Sequence, residues 1–337
     1  MLVGAVGCSA EIEGPQEADD GEIELRSLDV SVKNEVCPKT RFVARLKDGA
    51  PGCPPLLNTG WTKRTLFAEG TPYLSTLTSP FPANKALSRY CTYERTTSPT
   101  PTQLSAVTGN VAFDEVAPDC AAMLPTGTLA DAVTPALRDL IRNRLGYVTD
   151  TDLDLTSSES GRAPVRVEVV DTIPTMIPPA PNDEHGLAVA DLARDIACPG
   201  SSTTCSVVVE NVLGLPLVKD AMGVRREFED GGYYGTQSFY AAAIFEAMKR
   251  WENSGVAAKL VLNLSVGWPP EWFGGGETEA SPGVDAVETA LRYARCRGAL
   301  IIVAAGNDTK DCQSGPTAPA LWETRPSPTA NECLTEF

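Results

Sequence analysis

From about residue 160 onward the chain alternates short apolar runs with stretches of helical spacing, and this alternation restricts the fold more than any other feature. Val165-Arg-Val-Glu-Val-Val170, Ser206-Val-Val-Val209, Leu260-Val-Leu-Asn-Leu264 and Leu300-Ile-Ile-Val303 have the length and β-branched content of buried strands. Between them, apolar residues recur at three- and four-residue intervals. Leu187, Ala190, Leu192, Ala193 and Ile196 line one side of Gly186–Ala197, and Phe239, Ala243, Ile244, Ala247, Met248 and Trp251 one face of Ser238–Trp251. Val284, Val287, Leu291 and Ala294 mark a third helix, with Gly298 placed to cap it. Strands joined through helices need right-handed crossovers, so the expected fold is α/β, a doubly wound, mainly parallel sheet covered on both faces. Chemistry in such sheets gathers beyond the carboxyl ends of the strands. Asp171 and Asn307 both fall there.

The preceding part reads differently. Residues 26–150 are broken by Pro, Thr, Ser and Gly into short segments such as Phe42-Val-Ala-Arg-Leu46 and Asn110-Val-Ala-Phe113, punctuated by Cys37, Cys53, Cys91 and Cys120. This is the pattern of a small β-rich or α+β, disulfide-bearing domain. Leu129–Leu145 has helical spacing and is expected to connect it to a second domain spanning 160–337. Ten cysteines without a Cys-x-x-Cys pair fit disulfides in an oxidising compartment better than zinc, and Cys198 with Cys205 is the most plausible local bridge.

Residues 1–25 read as a signal remnant and acidic tether. Leu2-Val-Gly-Ala-Val-Gly-Cys8-Ser9 resembles the end of a bacterial lipoprotein signal, with Cys8 as the lipidated residue, although the upstream basic and apolar segments are missing. The expected location is therefore the cell envelope or outside the cell, with membrane attachment only through such a lipid. A formal charge of −16 with no Lys/Arg run argues against nucleic-acid binding through phosphate contacts.

Three segments carry chemistry. His185, the only histidine, stands in Glu184-His185-Gly186 with Val189-Ala190 following; Val169-Val170-Asp171-Thr172 closes the first strand; Ile302-Val303-Ala304-Ala305-Gly306-Asn307-Asp308 closes the last. A base, an acid to orient it and an amide donor for a developing oxyanion are three parts of an acyl-transfer site. In their order and local pattern these segments resemble the subtilisin-like serine protease family, over roughly residues 165–325. The resemblance implies His185 as general base, Asp171 as the acid that holds its tautomer, and Asn307 as oxyanion donor. Asp183 is a weaker rival for the acid. Leu262-Asn-Leu-Ser-Val-Gly267 resembles the family's substrate-bordering strand, which implies Leu264, Ser265, Val266 and Gly267 as substrate-binding positions. The implied substrate is a peptide or protein. No cofactor is implied, and no Asp-rich loop with calcium-ligand spacing supports a metal.

The chain departs from the family in two places. Ile173 stands where the pattern has glycine after Asp-Ser/Thr, and the nucleophilic serine expected after Asn307 has no counterpart. Gly235-Thr236-Gln237-Ser238 precedes Asn307 and matches the loop and helix before the substrate-bordering strand better. Two expectations follow. The chain is a serine endopeptidase whose nucleophile lies in sequence beyond Phe337, or it is a catalytically inactive envelope or binding protein of the same fold. The residues leave open whether the amino-terminal domain is an inhibitory propeptide or an accessory unit.

Overall fold

The computed structural model describes residues 2–5, 37–57, 59–68, 84–122, 164–173, 185–197, 207–216, 235–255, 257–268, 281–304, 318–320, 322 and 325–337. The protein is mixed α/β, with one parallel and one antiparallel sheet. Leu129–Leu145, Cys8, Asp183, the Cys198/Cys205 pair and Asn307 lie outside the described residues.

The parallel sheet contains β1 (Leu2–Ala5), β6 (Val165–Asp171), β7 (Val207–Leu213), β8 (Lys259–Leu264) and β9 (Leu300–Ala304), in the order β1-β9-β8-β6-β7. Each strand expected from the apolar runs is present. β7 runs four residues further than its valines suggested, because Glu210–Leu213 pair in register with Glu168–Asp171. Leu2–Ala5, read in the sequence as part of an export remnant, pairs in parallel with Ile301–Ala304 at the sheet edge.

Alternation along β6 sends its side chains to two different layers. Val169 packs with Ala190 of α2 (His185–Ala197), while Val170 joins the main core with α3 (Gln237–Asn253) and α4 (Pro282–Cys296). In α2 the expected apolar side is shifted: Val189, Ala190 and Ala193 face the sheet, whereas Leu187 is 39% exposed. The reason is the helix start, which is fixed by contacts at Gly186 described below. In α3 nearly the whole circumference is buried, from Tyr240 to Met248 with only Glu246 escaping. The three consecutive alanines Ala241–Ala243 let α3 lie between the sheet and a second layer.

That layer is the antiparallel sheet of β2 (Arg41–Leu46), β3 (Thr62–Thr65), β4 (Tyr90–Glu94) and β5 (Phe113–Pro118), ordered β3-β4-β2-β5. Phe42, Ala44 and Leu46 point into its own core with Trp61, Tyr93 and Val107; Val43 points the other way, into the main core. Arg41 and Arg45 share the Val43 side of the pleat and reach α3 and α4: Arg41 bonds Ser238 Oγ at 3.1 Å, and Arg45 pairs with Asp285. Phe67 meets Phe245 edge-on, and the Tyr90 and Thr289 hydroxyls lie 2.9 Å apart. The 110–113 stretch is not a strand until Phe113; before it comes α1 (Pro101–Thr108), whose Thr100/Gln103 capping box and first-turn proline were the overlooked signal.

Three disulfides are present among the described residues: Cys37–Cys120, Cys53–Cys91 and Cys296–Cys333. They accord with an oxidising compartment. The first closes 83 residues of chain around the antiparallel sheet, which restricts the unfolded state by an amount on the order of 4 kcal/mol. The third ties α5 (Ala330–Glu336) to the end of α4, where Glu336 also bonds Lys85 and the Ala86 amide. No helix among the described residues is long and apolar enough to cross a membrane.

One buried group works against stability. Glu168, in the middle of β6, has no exposed surface, pairs with Arg166 and leaves one carboxylate oxygen without a partner. Burial pushes its carboxyl up to about 7, with Arg166 opposing the shift. The folded protein therefore holds a proton that the unfolded chain releases near 4.5, and stability falls as pH rises between these values. The gap corresponds to roughly 3 kcal/mol. Glu168→Gln cannot titrate, so its stability relative to the parent is expected to rise by about that amount between pH 4.5 and 8. Urea unfolding at the two pH values checks this, and a constant difference would refute it.

Candidate active site

Asp171 is the last residue of β6 and is fully buried. Its backbone carbonyl accepts the Gly214 and Leu215 amides at 2.8 and 3.3 Å, so the end of β7 anchors the residue before its side chain does anything. The carboxylate accepts the Thr172 amide at 2.7 Å on Oδ1. His185 opens α2 with its side chain 13% exposed, and its Nδ1 lies 2.9 Å from both carboxylate oxygens. A carboxylate can only accept, so the geometry calls for the proton on Nδ1, and in the neutral ring Nε2 then keeps its lone pair. An acid held behind an imidazole in this way fixes the tautomer in which the outer nitrogen can take a proton.

Gly186 makes the approach possible. A Cβ there would stand 2.2 Å from the Thr172 carbonyl oxygen and 2.8 Å from the Asp171 Cβ, far inside contact distance. The glycine after His185 is thus required by packing against the strand end. Ile173, which stands where the resemblance leads one to expect glycine, follows Thr172 as a half-buried residue.

The order of strands reverses between β6 and β8, since β7 lies on one side of β6 and β8 on the other. Asn263 is the register partner of Val169, so the chain leaves β8 at the level where β6 ends in Asp171. Of the four expected substrate-binding positions, Leu264 and Val266 bury their side chains in the core and Gly267 is buried. Ser265 is half-buried and its hydroxyl donates to Asn263 Oδ1 at 3.1 Å. Trp268 then packs edge-on against Tyr240 and Trp322 and pairs with Ala318 through two 3.0 Å backbone bonds. β9 ends at Ala304, with Val303 paired to Leu264; it stops three residues short of Asn307.

Two residues near the pair carried no role in the sequence reading. Thr172 accepts the Gly186 amide on its hydroxyl at 3.1 Å. Tyr240, in the first turn of α3, is fully buried with an unpartnered hydroxyl; burial first, and then the Asp171 charge, push its ionisation well above the ordinary value, so it remains a neutral phenol. Thr172 matches the Ser/Thr position after Asp171 in the sequence pattern, whereas Tyr240 carries no such signal.

The antiparallel sheet delivers a chain segment to the same neighbourhood. After β5, Asp119 is fully buried, and the Cys120 carbonyl and Ala122 amide bond the Gln237 amide and Gly235 carbonyl at 2.9 and 3.4 Å. Ala121 thereby forms an antiparallel bridge with Thr236. Gly235 takes a left-handed φ of 61° and bonds the Pro216 carbonyl at 2.7 Å, next to the residues that anchor Asp171. Backbone bonds therefore link the 120–122 segment to the acid of the pair in three steps. Among the described residues no cluster of three His, Cys, Asp or Glu side chains is arranged to hold a metal. No protein-family model and no curated protein matches the chain.

Proposed function

We propose that this protein is a subtilisin-like serine endopeptidase with a doubly wound catalytic domain, exported to the cell envelope or beyond it. The single observation that carries this reading is the contact between buried Asp171 and His185 Nδ1 at 2.9 Å, beside the point where strand order reverses. His185 Nε2 takes the proton of a serine hydroxyl as that oxygen attacks the peptide carbonyl, and returns it to the leaving amine. Asp171 holds the tautomer and stabilises the imidazolium. Asn307, three residues beyond β9, donates its amide to the oxyanion. The substrate is an extended peptide bordered by the backbone that follows β8. The reading requires a nucleophilic serine encoded beyond Phe337, in a Gly-Thr-Ser segment opening a helix.

The amino-terminal unit fits an inhibitory, propeptide-like role. What supports this is the isolated antiparallel bridge of Ala121 with Thr236, which brings the segment after β5 to the start of α3, beside the residues that anchor Asp171. The test is labelling by a fluorophosphonate probe of the protein expressed from the complete reading frame. Labelling of one serine, abolished by His185→Ala, is expected; absence of labelling would favour the alternative, an inactive binding protein of the same fold.

A further inference from the structure

His185 is the first residue of α2, and the opening amides of a helix have no partner within it. Helices usually meet this need with a side chain just before their own start. Here the Gly186 amide is instead accepted by Thr172 Oγ1 at 3.1 Å, a hydroxyl from the end of another element, fourteen residues earlier. Thr172 is itself fully buried, and its amide donates to Asp171 Oδ1. One residue thus bonds the carboxylate through its backbone and the helix carrying the imidazole through its side chain. Gly186 completes the joint, since only a residue without a Cβ lets the helix start lie on the Thr172 carbonyl.

We propose that Thr172 is a positioning residue for the Asp171–His185 pair, its hydroxyl locking the start of α2 onto the end of β6. The inference rests on the reading of that pair as an acid–base couple. Opening the imidazole away from the carboxylate requires α2 to shift or the ring to swing, and the Thr172–Gly186 bond opposes the first. Removing it lowers the cost of opening by about one hydrogen bond, equivalent to about a tenfold increase in the open population.

Because the chain has one histidine, every imidazole signal of the protein belongs to His185. The experiment is proton–nitrogen NMR of the labelled protein, comparing parent, Thr172→Ser, Thr172→Val and Thr172→Ala. The expected result is a protonated Nδ1 in the parent, with solvent exchange of that proton accelerated about tenfold in the valine and alanine variants and restored by serine. Amide exchange in β8 and α3 is expected to stay within the parent's range in at least one of these variants; a general loss of stability would accelerate both. Parent-like exchange of the Nδ1 proton in the valine and alanine variants overturns the role of Thr172 alone, as does accelerated exchange in the serine variant. A parent spectrum with the proton on Nε2 overturns the acid–base couple itself, and this inference with it.

Discussion

If the Asp171–His185 pair serves a serine peptidase as proposed, Asp171→Asn is expected to cost about four orders of magnitude in kcat, the size of effect that a wrong histidine tautomer produces. The substitution preserves shape: an amide oxygen still accepts the Thr172 N–H, which the carboxylate now holds at 2.7 Å. What changes is the side facing His185. Both carboxylate oxygens lie 2.9 Å from Nδ1 and can only accept. An amide NH2 turned toward Nδ1 drives the ring proton to Nε2, and the nitrogen that must take the serine proton is then already occupied. The NMR signature of the single imidazole should move from Nδ1–H to Nε2–H in parallel with the kinetic loss. A variant with less than a tenfold loss in kcat, or with an unchanged tautomer, would remove Asp171 from the mechanism.

The pair was legible in the sequence because two local constraints coincide there. An apolar run ending in an acid and a His-Gly opening a helix are each short-range patterns, and the glycine is demanded by a 2.2 Å clash that any side chain would create. The parallel sheet was legible for a similar reason, since its strands are short runs rich in Val, Ile and Leu set between stretches of helical spacing. The second layer was not. Arg41, Val43 and Arg45 share one side of β2, and nothing in that alternation states that the opposing surface is α3 and α4 from beyond residue 235. The inward face of α2 is hidden for the same cause. Periodicity alone allowed Leu187 to face the sheet, but the contact of Gly186 with the Thr172 backbone sets the rotation of the helix and turns Leu187 outward. α1 was hidden by its weak apolar pattern, with Val107 its only fully buried residue, although its cap was written plainly in Thr100 and Gln103.

Asp119→Ala is the change expected to damage the fold most outside the Asp171–His185 pair. This carboxylate ends the antiparallel unit and sits at the amino end of α3, where the helix dipole favours a negative charge. It accepts four bonds: the Ser238 amide at 3.0 Å, the Ser238 and Thr236 hydroxyls at 2.5 and 2.7 Å, and Arg41 Nε at 2.5 Å. Arg41 also lies over the Phe239 ring, so its guanidinium is largely shielded from water, and its second carboxylate partner is the exposed Glu94 at 3.4 Å. Truncation leaves three donors around an empty position and Arg41 paired to the exposed Glu94, so the loss is expected to approach the roughly 3–5 kcal/mol that breaking a buried pair costs. Asp119→Asn keeps an acceptor for the Ser238 amide but turns an NH2 toward Arg41 or the hydroxyls, so an intermediate loss is expected. The damage should concentrate between the layers, because Asp119 joins β5 directly to α3 and the Ala121–Thr236 bridge begins two residues later. Urea unfolding followed separately by the near-ultraviolet signal and by limited proteolysis should show the antiparallel unit releasing before the parallel sheet unfolds. If that unit guards the cleft, peptide turnover by the complete protein should rise in the same variant even as its stability falls. A loss below about 1 kcal/mol with a single coincident transition would mean that Asp119 does not join the two layers.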